Sequence, residues 1–150
     1  MKISSRFLVL GALVATFAFA LAQNVTGAWK GRIDIDMSKL PAAKNEEGKK
    51  MMEQVKTMLG KMKITLTLNA NKTYSMKATG LPNAMKDQTS EGTWKQRGKS
   101  VTLTPTKENG KKPTGESAKP VTLTVSADGK KMSMAVPGGA GMGGSLVFTR

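Results

Sequence analysis

Side chains able to do covalent or metal chemistry are scarce in this sequence. The 150 residues contain no histidine and no cysteine. That removes the commonest general base, the thiolate nucleophile and the usual transition-metal ligands. Asp34 and Asp36 share one face of an alternating run, as a carboxylate pair would. Lys30 and Arg32 occupy the same face, so a solvated ladder of opposite charges is the expected arrangement. Glu91, Glu108, Glu116 and Asp128 fall in or near turns with no partner visible in the sequence. Gly139, Gly141 and Gly144 spell a Gly-x-Gly-x-x-Gly pattern. A dinucleotide loop must open a helix inside a βαβ unit, whereas this run precedes a short terminal strand. The chain therefore reads as non-enzymatic, with no cofactor and no metal.

The methionines are the remaining soft groups, 11 in all. Thioethers suit Cu(I). However, Met51, Met52, Met58 and Met62 fall at helical spacing, and Met76, Met132 and Met134 at alternating strand positions. Adaptable filling of apolar faces accounts for that pattern better than a metal site does.

Charge and compartment come next. Lys2 and Arg6 precede an uncharged apolar run, Phe7 to Ala22, that ends Ala20-Leu21-Ala22. This is the composition of a signal peptide, residues 1–22, cleaved after Ala22. The run is slightly shorter than a membrane span, which needs about 20 apolar residues. The expected location is secreted or periplasmic, with one domain over residues 23–150, enough chain for a sizeable core. With no cysteine there is no disulfide framework and no acylated-cysteine anchor, so an exported fold must rest on its own core. Basic residues number 24 against 10 acidic, a net charge of +14. Such a charge attracts anionic lipid or cell-wall polymer. Specific nucleic-acid binding is not expected, because aromatic residues are few, Trp29, Tyr74 and Phe148 lie on inward positions, and stacking needs exposed rings.

Alternation of apolar and polar residues dominates the rest. Trp29, Gly31, Ile33, Ile35 and Met37 share one face of an extended run. Ile64, Leu66 and Leu68 do so in KITLTL, and Tyr74, Met76 and Ala78 in TYSMKAT. Val101 and Leu103, then Val121, Leu123 and Val125, recur in two VTLT runs. Met132, Met134 and Val136, then Leu146 and Phe148, complete the set. Short links carrying Asn, Asp or Gly separate most of these runs, as hairpins require. The basic stretch from Pro105 to Pro120 reads as a longer, mobile loop. NEEGKKMMEQVKTMLG breaks the pattern with helical spacing, acidic at its start, with Gly60 as a stop. The expected fold is mainly β: an antiparallel up-and-down β-barrel of about eight strands, with one helix between the first and second strands.

Gly27-x-Trp29 on the first strand, followed by a meander, resembles the calycin group, in particular the small lipocalin-like domains of bacterial envelopes. In that group the tryptophan packs across the closed end of the barrel, and a basic residue on or after the last strand covers its ring. The resemblance therefore implies that Gly27, Trp29 and Arg150 close the barrel structurally. It departs from true lipocalins in lacking Thr-Asp-Tyr late in the chain, and from fatty-acid-binding proteins in lacking Arg-x-Tyr. The functional expectation is a binding module for a small apolar or amphipathic ligand. Its interior candidates are Ile33, Ile35, Leu66, Tyr74, Met76, Leu103, Leu123, Met132 and Met134, with Tyr74 as the inward polar tip and the methionine-rich helix as a lid. The alternative is a filled barrel whose basic surface binds anionic polymers or membrane surfaces.

Overall fold

The computed structural model describes residues 23–35, 46–81, 86–136 and 144–150. The leader, Asp36, Met37 and most of the glycine-rich run before the last strand lie outside them. The described chain forms eight strands and one α-helix. These are β1 (Gly27–Ile35), α1 (Glu46–Lys61), β2 (Lys63–Leu68), β3 (Thr73–Thr79), β4 (Gln88–Arg97), β5 (Ser100–Glu108), β6 (Val121–Val125), β7 (Lys131–Val136) and β8 (Gly144–Thr149). Each strand pairs antiparallel with the next, and β8 pairs with β1 to close the barrel. Closure leaves no sheet edge exposed. The order of strands and the place of the helix agree with the expectation from alternation.

One end of the barrel gathers the β2–β3, β4–β5 and β6–β7 turns together with residues 23–26 and Arg150. The turns follow from their residues. Asn24 Oδ1 accepts from the Thr26 N–H and hydroxyl, and Asn71 Oδ1 accepts from the same two groups of Thr73. Both Asn-x-Thr triplets are thus Asx-type turns that lead the chain into β1 and β3. In the β4–β5 hairpin Gly98 takes φ +56°, a region open to glycine. Among the described residues the whole barrel interior at this end is filled. Trp29, Leu66, Leu68, Trp94, Val101, Val125 and Met132 are each at most 2% exposed.

Close approach shapes the barrel at two further points. Phe148 of β8 lies against Gly31, where an added Cβ would sit 2.7 Å from its Cε1. Gly92 faces a bulge in β5: the register moves from Glu91 against Lys107 to Gly92 against Pro105. Thr106 is the extra residue, and its hydroxyl donates to the Glu91 carbonyl at 3.3 Å. A bulge tolerates proline in a strand and bends it, as barrel closure requires.

Helix α1 departs from expectation in its packing. None of its residues is fully buried. Gly48, Met52, Val55 and Leu59 form a half-buried stripe, while Met51 remains 66% exposed and Met58 37% exposed. The helix is held by its acidic first turn, by the Lys49–Glu46 ion pair at 3.2 Å and by Lys61 in its last turn. It runs one residue past Gly60, and the Met62 N–H bonds back to the Leu59 carbonyl. Among the described residues no helix is long and apolar enough to cross a membrane.

Candidate functional site

Above the filled half, the barrel holds a cavity of about 260 Å³. Its floor is Tyr74, Leu103, Leu123 and Phe148, all buried. Its walls are Met76 on β3, Ser90 on β4, Pro105 on β5, Val121 on β6, Met134 on β7 and Leu146 on β8. Glu108, Glu116, Ser117 and Lys119 stand at the rim. Strands β3 to β8 contribute through alternation, which sends every second side chain inward, whereas β1 and β2 line none of it. The cavity belongs to the end opposite the short hairpin turns.

The cover over this mouth is the β5–β6 connection rather than α1. The long basic connection expected there carries local structure of its own. Glu108 and Lys111 form a two-way backbone bridge, Pro113 is buried, and Gly115–Ala118 makes a 3-10 turn. The Ser117 hydroxyl donates to the Thr114 carbonyl at 2.9 Å, and Lys119 pairs with Glu116. Helix α1 does not line the cavity. It borders a separate, larger and more open groove outside the barrel, beside Gly80 and Leu81.

Of the interior candidates, Tyr74, Met76, Leu103, Leu123 and Met134 meet around the cavity. Leu66 and Met132 instead fill the solid half, both fully buried. Ile33 packs partly buried against the core, and Ile35 is half-exposed at the end of β1. Neither borders the cavity. Ile33 and Ile35 pair with Leu146 and Gly144, so Ile33 stands level with a wall residue, but the lining comes from β3 to β8 and not from β1 or β2. Alternation reports the face of a residue but not its height in the barrel. Glu108 escaped sequence reasoning because it follows the bulge, Glu116, Ser117 and Lys119 because they sit in a loop, and Ser90 because it is a polar residue on β4, a run given no inward face.

The one polar pair inside is Tyr74 with Ser90, whose hydroxyl oxygens are 3.0 Å apart. Burial pushes the Tyr74 phenol above its ordinary value of 10.0; the Ser90 hydrogen bond opposes this, and the Glu108 carboxylate adds to the rise. The phenol is therefore a neutral donor at physiological pH. A raised phenol pKa means that the folded state keeps this proton longer than the unfolded chain. Its contribution is fully present below about pH 10 and is lost as pH rises through the raised value. The Tyr74→Phe variant should show a shallower alkaline loss of stability than the parent, read as urea midpoints between about pH 9 and 11. Identical slopes would sink this assignment.

At the other end, the Arg150 guanidinium carbon lies 4.5 Å from the centroid of the Trp29 ring. Trp29 Nε1–H donates to the Val25 carbonyl at 2.9 Å. Arg150 also donates to the carbonyls of Asn24, Thr26 and Gly129. Gly27 takes φ +119° where the chain turns into β1. A second Gly-x-Trp, Gly92 to Trp94, is built alike. Lys72 Nζ stands 4.0 Å from the Trp94 ring centroid, and Trp94 Nε1–H donates to the Asn69 carbonyl at 3.0 Å. Two capped tryptophans therefore plug the same end, each by a cation over a buried ring.

A family model, NlpE N-terminal domain, matches residues 59–134, half of the chain. The chain belongs to the NlpE N-terminal domain family. No curated protein and no solved structure matches it. The matched span runs from the last turn of α1 to Met134 in β7, and so includes Tyr74, Met76, Ser90, Leu103 and Leu123 of the cavity. The barrel is consistent with the calycin group, but the family shown is NlpE rather than the lipocalin-like domains that the sequence resembles. NlpE proteins are envelope lipoproteins, which agrees with an envelope location. The first Gly-x-Trp and Arg150 fall outside the matched residues, and the second Gly-x-Trp falls within them.

Among the described residues, no group of three or more carboxylates is placed to hold a metal ion. Of the charge ladder expected on β1, Arg32 pairs with Asp34 at 3.0 Å, and Asp36 lies outside the described residues. All four described aromatic residues are buried.

Proposed function

We propose that this NlpE-type barrel is a non-enzymatic envelope binding module whose mouth takes one small apolar or amphipathic group. The cavity supports the reading: apolar walls enclose a single convergent pair of hydroxyls, the usual composition of a ligand site. Its 260 Å³ lies just below the range of about 300–1,000 Å³ typical for drug-sized ligands. A short alkyl chain carrying a hydroxyl or amide suits it. The chain would lie between Met76, Met134, Leu103 and Leu146. Its polar end would exchange hydrogen bonds with Tyr74 and Ser90. Methionine walls adapt to more than one chain shape.

Native mass spectrometry of residues 23–150, exported from a bacterial host, tests for a carried small molecule. A titration with octanol supplies the quantitative arm. Met134→Trp would fill the cavity from its wall and should weaken octanol binding by at least about tenfold, or roughly 1.4 kcal/mol. The fold should survive, because Met134 is only partly buried. Unchanged affinity in that variant, or no saturable binding in the parent, would overturn the reading.

A further inference from the structure

We infer that the barrel cavity selects a cationic amphiphile, an alkyl chain ending in an ammonium group, and that Glu108 sets this preference. The inference rests on the reading of the cavity as a ligand site. It begins with parity along β5. Leu103 and Pro105 line the cavity. Strict alternation would send Lys107 inward next. The bulge at Thr106 inserts one residue, so that Lys107 stands opposite Glu91 and Glu108 opposite Ser90. One extra residue exchanges the two faces of a strand beyond it. Lys107 is accordingly exposed on the outside with Glu91, whereas Glu108 is half-buried at the cavity rim. The bulge thus puts a carboxylate where alternation would have put a cation.

The charge at this mouth is opposite in sign to that of the molecule. The whole chain has 24 basic residues against 10 acidic. The cavity is bordered by two carboxylates, Glu108 and Glu116, and by one ammonium, Lys119. Lys119 and Glu116 pair with each other at 2.5 Å. Among the described residues, no ion pair engages the Glu108 carboxylate. Its neighbours Lys107, Lys111 and Lys112 are exposed, and none of them lines the cavity. A carboxylate half-buried beside apolar walls is stabilised by a cationic partner through charge-assisted hydrogen bonds.

The groups around Glu108 fit an ammonium in particular. Ser90 faces it across the β4–β5 ladder, and the Ser90 hydroxyl oxygen lies 3.0 Å from that of Tyr74. The Glu108 carboxylate also acts on the Tyr74 phenol, adding to the rise of its pKa. One carboxylate and two hydroxyl oxygens, from three consecutive strands, therefore share one side of the cavity. A primary ammonium carries three N–H donors and no acceptor, so it can donate to all three. A ligand hydroxyl supplies a single donor, and a ligand carboxylate would meet Glu108 as a like charge. With the ammonium held there, the alkyl chain would run between Met76, Met134 and Leu146.

Isothermal titration calorimetry of residues 23–150 with octylammonium, octanol and octanoate compares three head groups on one chain, at about pH 7 and about 0.15 M salt. Octylammonium should bind at least about tenfold more tightly than octanol, and octanoate more weakly than either. That order is the reverse of the one the positive net charge of the molecule would impose. Glu108→Gln keeps the shape of the side chain and removes its charge, and the preference for octylammonium over octanol should collapse to within about twofold. Glu91→Gln, on the outer face of β4, changes net charge equally and should leave that preference intact. Circular dichroism verifies folding, and the parent series stands without either variant. Saturable octanol binding with octylammonium no tighter would overturn the inference and leave the cavity reading standing. A preference that survives Glu108→Gln, or that falls as far in Glu91→Gln, would also overturn it. If none of the three probes binds saturably, the cavity reading fails and the inference fails with it.

Discussion

Trp29→Ala should destabilise the barrel by about 4 kcal/mol, against a total of roughly 5–15 kcal/mol for a domain of this kind. The side chain is wholly buried, and its removal empties the plugged end between β1, β2 and β8. The loss combines transfer of a large ring to water with the cavity left behind. It also strands the Val25 carbonyl and removes the ring beneath Arg150. The measurement is urea unfolding followed by the fluorescence of Trp94. At an m value of about 2 kcal/mol/M the midpoint should fall by about 2 M. Arg150→Ala should cost only about 1 kcal/mol, because it removes an exposed cation and keeps the plug. A Trp29→Ala loss below that of Arg150→Ala would mean that the ring is not what closes the barrel.

Gly92→Ala should cost about 2–3 kcal/mol, a large effect for a single methyl group. Conformation is not the reason, since Gly92 is not among the positive-φ glycines. Space is. A Cβ there would sit 2.0 Å from the Thr104 carbonyl oxygen and 2.8 Å from Tyr74 Cε1. The first obstacle is backbone in the paired β4–β5 ladder, next to the bulge at Thr106, and cannot rotate away. Gly31→Ala meets only the edge of the Phe148 ring and the Ile64 side chain, and should cost less. Differential scanning calorimetry of the two variants decides the order. A Gly92→Ala change within about 0.5 kcal/mol of the parent, the range of an ordinary surface substitution, would refute the close-approach account. Because Tyr74 is the second obstacle, the same variant should also disturb the hydroxyl pair at the cavity floor.

The two tryptophans illustrate how local and long-range information divide. Gly-x-Trp is visible in the sequence twice, and alternation points the first ring inward; the burial of Trp94 came from the structure. That Arg150 covers the first was implied by the resemblance to calycins, and closure, which brings β8 beside β1 across more than a hundred residues of chain, places it there. Lys72 over Trp94 depends on the β2–β3 turn reaching β4. The methionines divide in the same way. Met132 and Met134 are two residues apart on one face, yet the first, beside Phe148, is fully buried and the second, beside Leu146, borders the cavity. Height along the barrel axis separates them, and period-two patterning carries no information about height.

Composition and spacing alone determined the approximate strand count, the single helix, the antiparallel order and the inward face of every strand but β4. They also determined the absence of histidine and thiol chemistry. These properties are local: they depend on alternation, turn residues and side-chain type, which neighbours in sequence impose on one another. The tertiary structure decided where the interior stops being solid, which loop covers the mouth, and that α1 stays on the outside. It also gathered three hairpin turns, the residues before β1 and Arg150 at one end. Those properties depend on register, on a bulge at Thr106 and on which turns share an end, and closure of the barrel is the step that sets all three.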